Sequence, residues 1–120
     1  MARPSADAVR RHCLDKPGVE EGRPFGPEVL VMKVLGKVFA LIADGDEPAA
    51  VSLKCEPEIA AALRAAYPAV TPGYHLNKRH WNTVVLDGSV TRAEVFAWID
   101  DSYDLVVDGL PKKAQARLRR

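Results

Sequence analysis

Most of what would announce an activity is missing from this chain. No apolar run approaches the roughly 18 residues that cross a bilayer, and the opening MARPSADAVRR offers no apolar segment for a secretory leader. A cytoplasmic protein with no membrane association is therefore expected. Cysteine is scarce: Cys13 and Cys55 are the only two, and a single disulfide is not expected in a cytosolic chain of 120 residues that can bury its own core. No Cys-x-x-Cys or His-x-x-x-His pair occurs, and His75 and His80 stand five apart with no third ligand nearby, so neither a metal site nor a cofactor is expected. Gly-rich phosphate loops, serine-nucleophile motifs and paired carboxylates are absent too. A Cys-His enzyme would need an activated thiolate, but Cys13 falls on the apolar stripe of a helix and only Cys55, just before a helix start, gains dipole help. Both read as structural thiols, and no enzymatic activity is expected. Excess charge is also lacking, since 17 Lys and Arg against 16 Asp and Glu leave a net +1, well below the usual balance of a dedicated nucleic-acid binder.

What is present reads as a single domain over residues 1–120. Ser5 is a good N-cap, and Ala6, Val9, Cys13 and Leu14 share one face, which predicts a helix over 5–14 ended by Pro17-Gly18. GVEEGRPFGPE reads as a loop with Phe25 anchored beneath it. Val29 to Leu35 and Val38 to Ala43 predict a hairpin turning at Gly36-Lys37, and Ala50 to Cys55 a third strand. Pro57 opens a second helix with a stripe of Ile59, Ala62, Leu63 and Ala66. Extended pieces around 74–76 and 81–86 predict a second hairpin. Thr91 and Glu94 form a capping box ahead of Val95, Ile99, Tyr103, Val106 and Leu110, the third helix. The tail 111–120 is basic, with Lys112, Lys113, Arg117, Arg119 and Arg120, and reads as a short helix or a frayed end. The order α-β-β-β-α-β-β-α predicts an α+β fold, a two-layer sandwich of five antiparallel strands with helices on one face. Lys33, Lys37, Ser52 and Lys54 are candidates for the wet face.

One stretch stands out. Tyr74-His75-Leu76-Asn77-Lys78-Arg79-His80-Trp81-Asn82 gathers two cations, two imidazoles, two amides and two large aromatics. On one reading Trp81 and Tyr74 are core anchors and Lys78-Arg79 a charged hairpin tip. On the other, Lys78 and Arg79 meet phosphates while Asn77, His80, Asn82 and His75 supply hydrogen bonds, with Lys112 and Lys113 joining if the tail folds back.

Five blocks in order, PGVEEGRPFG at 17–26, GKVFAL at 36–41, VSLKCEPE at 51–58, PGYHLNKRHWNTVVLDG at 72–88 and SYDLVVDGLPKK at 102–113, resemble the MmcQ/YjbR family of small bacterial proteins. The resemblance implies a fold similar to frataxin-like and secretion-chaperone-like domains and a double-wing DNA-binding arrangement, with wings at Lys33 to Lys37 and Asn77 to Asn82. Glu56 stands where that pattern has aspartate, which weakens the cap of the second helix. The expectation is a non-enzymatic DNA-binding protein of low sequence specificity. The alternative is a protein-binding, chaperone-like module that docks a peptide or a second copy, as a monomer or weak dimer.

Overall fold

In a computed structural model that describes residues 4–45, 47–73 and 76–118, helix α1 (Ala6–Leu14) begins at the expected cap, where Ser5 Oγ accepts from the Ala8 N–H at 3.0 Å. Strands β1 (Val19–Gly22), β2 (Val29–Val34), β3 (Lys37–Ala43) and β4 (Ala50–Lys54) follow, then helix α2 (Pro57–Ala66), β5 (Val70–Pro72), β6 (Trp81–Val85), α3 (Arg92–Asp108) and α4 (Lys112–Leu118). All pairings are antiparallel and the sheet runs β1-β2-β3-β4-β6-β5. The α+β class with one antiparallel sheet is as expected; among the described residues the strands number six, against the five expected.

The extra strand is β1, expected as loop. It pairs along β2 from Val19↔Val34 to Gly22↔Val31. An edge strand of Val-Glu-Glu-Gly needs only its backbone to pair, so it leaves no apolar alternation for a sequence to show. Phe25, expected as an anchor, is 73% exposed just after it. The hairpin turns at Leu35-Gly36, one residue earlier than expected, with both φ values positive at 46° and 86°, the geometry of a two-residue primed turn. Leu35 tolerates that strained backbone where its side chain packs on the core.

Capping and packing make α3 the spine of the domain. Thr91 Oγ1 accepts from the Glu94 N–H at 3.2 Å, and Val95, Ile99, Tyr103 and Val106 all point inward as their spacing predicts. They meet Met32, Phe39, Ile42 and Val51 of the sheet, with Val9 and Cys13 of α1 on the same side. In β3 a bulge leaves Phe39 without a partner in β2, and its ring sits edge-on to Tyr103 with centroids 5.4 Å apart. Ser102 fills the gap this opens beside β4: its Oγ donates to Phe39 O at 2.6 Å and accepts from Lys54 N at 2.8 Å.

The second helix departs from its predicted stripe. Only Ala60 is fully buried; Leu63 is half-buried, Ala62 and Ala66 are exposed, and Ile59 is 54% exposed. Helix α2 rests on β5 and β6 while α3 rests on β2, β3 and β4, so the helix meets a sheet margin through a narrow line instead of a broad apolar face. Glu56 gives it no side-chain cap bond. Among the described residues no helix covers the sheet's other face, which is wet as expected at Lys33, Ser52 and Lys54, all half-exposed; Lys37, expected there too, is exposed but pairs with the core residue Val34 and so takes the opposite parity. Ser52 bonds Thr83 across the β4-β6 pair at 2.8 Å.

Candidate nucleic-acid interface

The segment between β5 and β6 is held in place by its backbone. Strand β5 lies at 70–72, the extended piece expected around 74–76 falls largely outside the described residues, and Gly73 closes the hairpin by donating its N–H to Trp81 O at 2.8 Å. That approach needs glycine, because a Cβ there would stand 2.8 Å from the Trp81 Cβ and 3.1 Å from its carbonyl. Tyr74 and His75, one expected as an anchor and the other as a contact, lie outside the described residues. Asn77 organises the tip. Its side-chain oxygen accepts from Arg79 N at 3.0 Å and its carbonyl accepts from His80 N and Trp81 N at 3.1 and 2.9 Å, an Asx-type turn that asparagine supplies well.

Two neighbours fasten this turn to the fold. Arg64, on α2, donates from Nη1 to Lys78 O at 3.0 Å and to Asn82 Oδ1 at 2.9 Å. The carbonyl of His80 accepts from Cys55 N at 2.7 Å. Lys78 and Arg79 are left exposed at the tip and His80 half-exposed. Asn82 must be removed from the expected contacts. It is 3% exposed, and its amide donates to Ala60 O at 3.2 Å while its oxygen takes the Arg64 bond. It ties α2 to β6. Trp81, read as a core anchor, is half-buried, and among the described residues no carbonyl accepts from its indole Nε1–H. Arg64 was missed, since a lone arginine on a helix carries no sequence signal of the carbonyls it will meet.

The register decides what else shares this region. Because every strand pair is antiparallel, the Leu35-Gly36 turn and the 76–80 tip before β6 leave the same end of the sheet, separated by β4. Helix α4 crosses that end beside the first turn: a Cβ on Gly18 would meet Leu118 Cδ2 and Leu35 Cδ2. Lys112 and Lys113 at its start are exposed. The tail thus folds back, but onto the β1-β2-β3 side, whereas Lys78 and Arg79 stand on the β6-β5 side. Ion pairs divide the molecule in the same way. Arg10, Arg11, Lys16 and Arg23 bond Glu21, Asp7, Asp100 and Asp44. Among the described residues Lys33, Lys37, Lys78, Arg79, Lys112 and Lys113 have no carboxylate at ion-pair distance.

Comparison with known proteins agrees with this architecture. The YjbR family model matches residues 14–105. The chain belongs to the YjbR family. Protein YbdF of Escherichia coli O157:H7 is 39% identical over 113 residues, covering 94% of this chain and 93% of that one, and protein YjbR of Escherichia coli K12 is 37% identical over 108 residues, covering 90% and 92%. The crystal structure of Deinococcus radiodurans DR2400, a DUF419 domain, superposes on this YjbR-family fold with a TM-score of 0.90 at 39% identity, over 97% of this chain and 88% of that chain. A Pseudomonas syringae protein matches with a TM-score of 0.64 at 31% identity over 72% and 86%. None of these names carries an activity. Among the described residues no helix is long and apolar enough to cross a membrane.

Proposed function

We propose that this YjbR-family chain is a non-enzymatic, cytoplasmic DNA-binding protein that grips the phosphate backbone with the two-turn end of its sheet and reads little sequence. The observation that supports this is the shared end: the Leu35-Gly36 turn, flanked by Lys33 and Lys37, and the Asn77 to His80 tip, carrying Lys78 and Arg79, project side by side. Their centres are three strand spacings apart, about 14 Å. That is close to the roughly 12 Å width of a major groove, so two wings can lie along the two backbones that border it. Both wing tips are turns rather than helices and their contacts are cations and amides, which favours a mainly electrostatic mode. Lys112 and Lys113, exposed at the start of the helix whose Leu118 packs by the first turn, would extend the first wing's charge; Asn77 and His80 belong to the second. The thiols do not favour a nucleophilic enzyme: burial pushes Cys13 up to about 12 and raises Cys55 as well.

Titration of labelled duplex against the protein over a range of salt tests the reading. About three to five neutralised phosphates give a log–log salt slope of roughly −3 to −4.5. A Lys78→Ala, Arg79→Ala double variant is expected to reduce the slope by about two and to keep the parent's melting temperature, because both side chains are exposed. Absence of binding in low salt, or a double variant that binds like the parent, would overturn it.

A further inference from the structure

The gap between α2 and α3 is a second surface of opposite character. Its floor is Leu53, Cys55, Leu63 and Val84, with Ile59 projecting from α2 and Trp98 from α3. It continues past Cys55 and Ile59 into a stretch lined by Glu56, Asp101, Asp104, Leu105 and Asp108. The α3 wall therefore alternates Trp98, Asp101, Leu105 and Asp108, one helix face at spacings of three and four, with Asp104 beside it. From Trp98 to Asp108 this wall is about 15 Å long at 1.5 Å per residue. Glu56, Asp101, Asp104 and Asp108 are all exposed, and among the described residues none has a cation at ion-pair distance; Lys54 is the one basic residue among those lining the groove.

An exposed isoleucine at the foot of a groove, next to four carboxylates that no described cation pairs, is an arrangement that a self-contained fold does not need. Burial of Ile59 and the half-exposed Leu63 and Leu105 would reward an apolar ligand face, and the acid wall would select cations and repel anions. The length suits about three turns of helix laid in the groove. We propose that the α2–α3 groove docks a basic amphipathic helical segment of a partner protein, with Lys or Arg at spacings of three and four against Asp101, Asp104 and Asp108 and an apolar side chain over Ile59. The site is independent of the cationic wings and repels what they attract.

The probe is a fluorescent peptide of about three turns built from leucine and lysine with one apolar face. Its controls are the same composition scrambled and a leucine–glutamate counterpart. The parent protein is expected to bind the first peptide and neither control, and the bound peptide should slow modification of Cys55, which lines the floor, by an aromatic disulfide reagent. Asp101→Asn, Asp104→Asn, Asp108→Asn together should weaken binding about tenfold or more, as should Ile59→Ser, while Lys78→Ala, Arg79→Ala leaves it unchanged. All of these positions are exposed, so folding is checked by an unchanged melting temperature. No binding, equal binding by the triple asparagine variant, or an unprotected Cys55 would overturn the proposal. So would a dimer in sedimentation that the triple variant dissociates, which would assign the groove to the Lys112–Leu118 helix of a second copy.

Discussion

Ser102 shows how much one hydroxyl can hold. It is wholly buried and stands where the next rung between β3 and β4 would be, replacing a strand-to-strand bond with two bonds of its own, to Phe39 O and from Lys54 N. Ser102→Ala removes both and leaves a buried carbonyl and a buried N–H unsatisfied. The expected loss is about 1 to 3 kcal/mol, measured by denaturant unfolding. Ser102→Gly at the same cost, plus a helix penalty of roughly 1 kcal/mol, would separate the hydroxyl's contribution from packing. None of this was legible beforehand, since a serine in SYDLVV reads as a polar position on α3. Asn82 was misread for the same reason. An amide beside Lys, Arg and Trp looks available for a ligand, yet its position in β6 turns it toward Ala60 and Arg64.

The elements with strong local signals were legible and those defined by long-range pairing were not. The α3 helix was predictable from its capping box and its spacing, and the β2-β3 hairpin from β-branched runs around a glycine. Strand β1 owes its existence to the neighbouring edge of β2, and β5 to a glycine that Trp81 approaches closely. Helix α2 carried a clear stripe but half of it faces the groove. The tail is an intermediate case. Leu110, Ala114 and Leu118 recur every four residues, a signal of α4 that could have been used, but the residue that secures it is Gln115. Its amide is buried and donates to Leu110 O at 2.8 Å and more weakly to Asp108 O at 3.4 Å, closing the carbonyl end of α3 that has no basic side chain in its last turn. Gln115→Ala is expected to cost about 1 to 3 kcal/mol and to open the tail to trypsin, with cleavage after Lys112 or Lys113 appearing before any cut within the sheet.

At the scale of the whole molecule, charge is sorted rather than balanced. The α1 side is self-neutralising, the two-turn end is cationic and the helix groove is anionic, so a net +1 conceals two surfaces with different tastes. The same sorting sets the response to acid. Glu21 and Asp44 are held below the usual carboxylate range by the hydrogen bonds of Arg10 and Arg23, and Glu94 by those from Tyr67 and Thr91. Burial acts on Asp100 in the opposite direction, but bonds from Lys16 and His12 outweigh it and its value is lowered too. A lowered folded value means the contribution is complete above the ordinary carboxylate range and is lost as pH falls through the folded value. The melting temperature should therefore drop between about pH 5 and about pH 3, and less steeply in high salt because these pairs are largely exposed. The outer strands have a bearing on something else, the behaviour of the protein when crowded. On one flank β1 is four residues long and carries Glu20 and Glu21; on the other, β5 has three residues and ends at Pro72, which has no N–H to offer. Neither flank gives a stranger's chain a long ladder to copy, so the uncovered sheet face can stay open without seeding fibres.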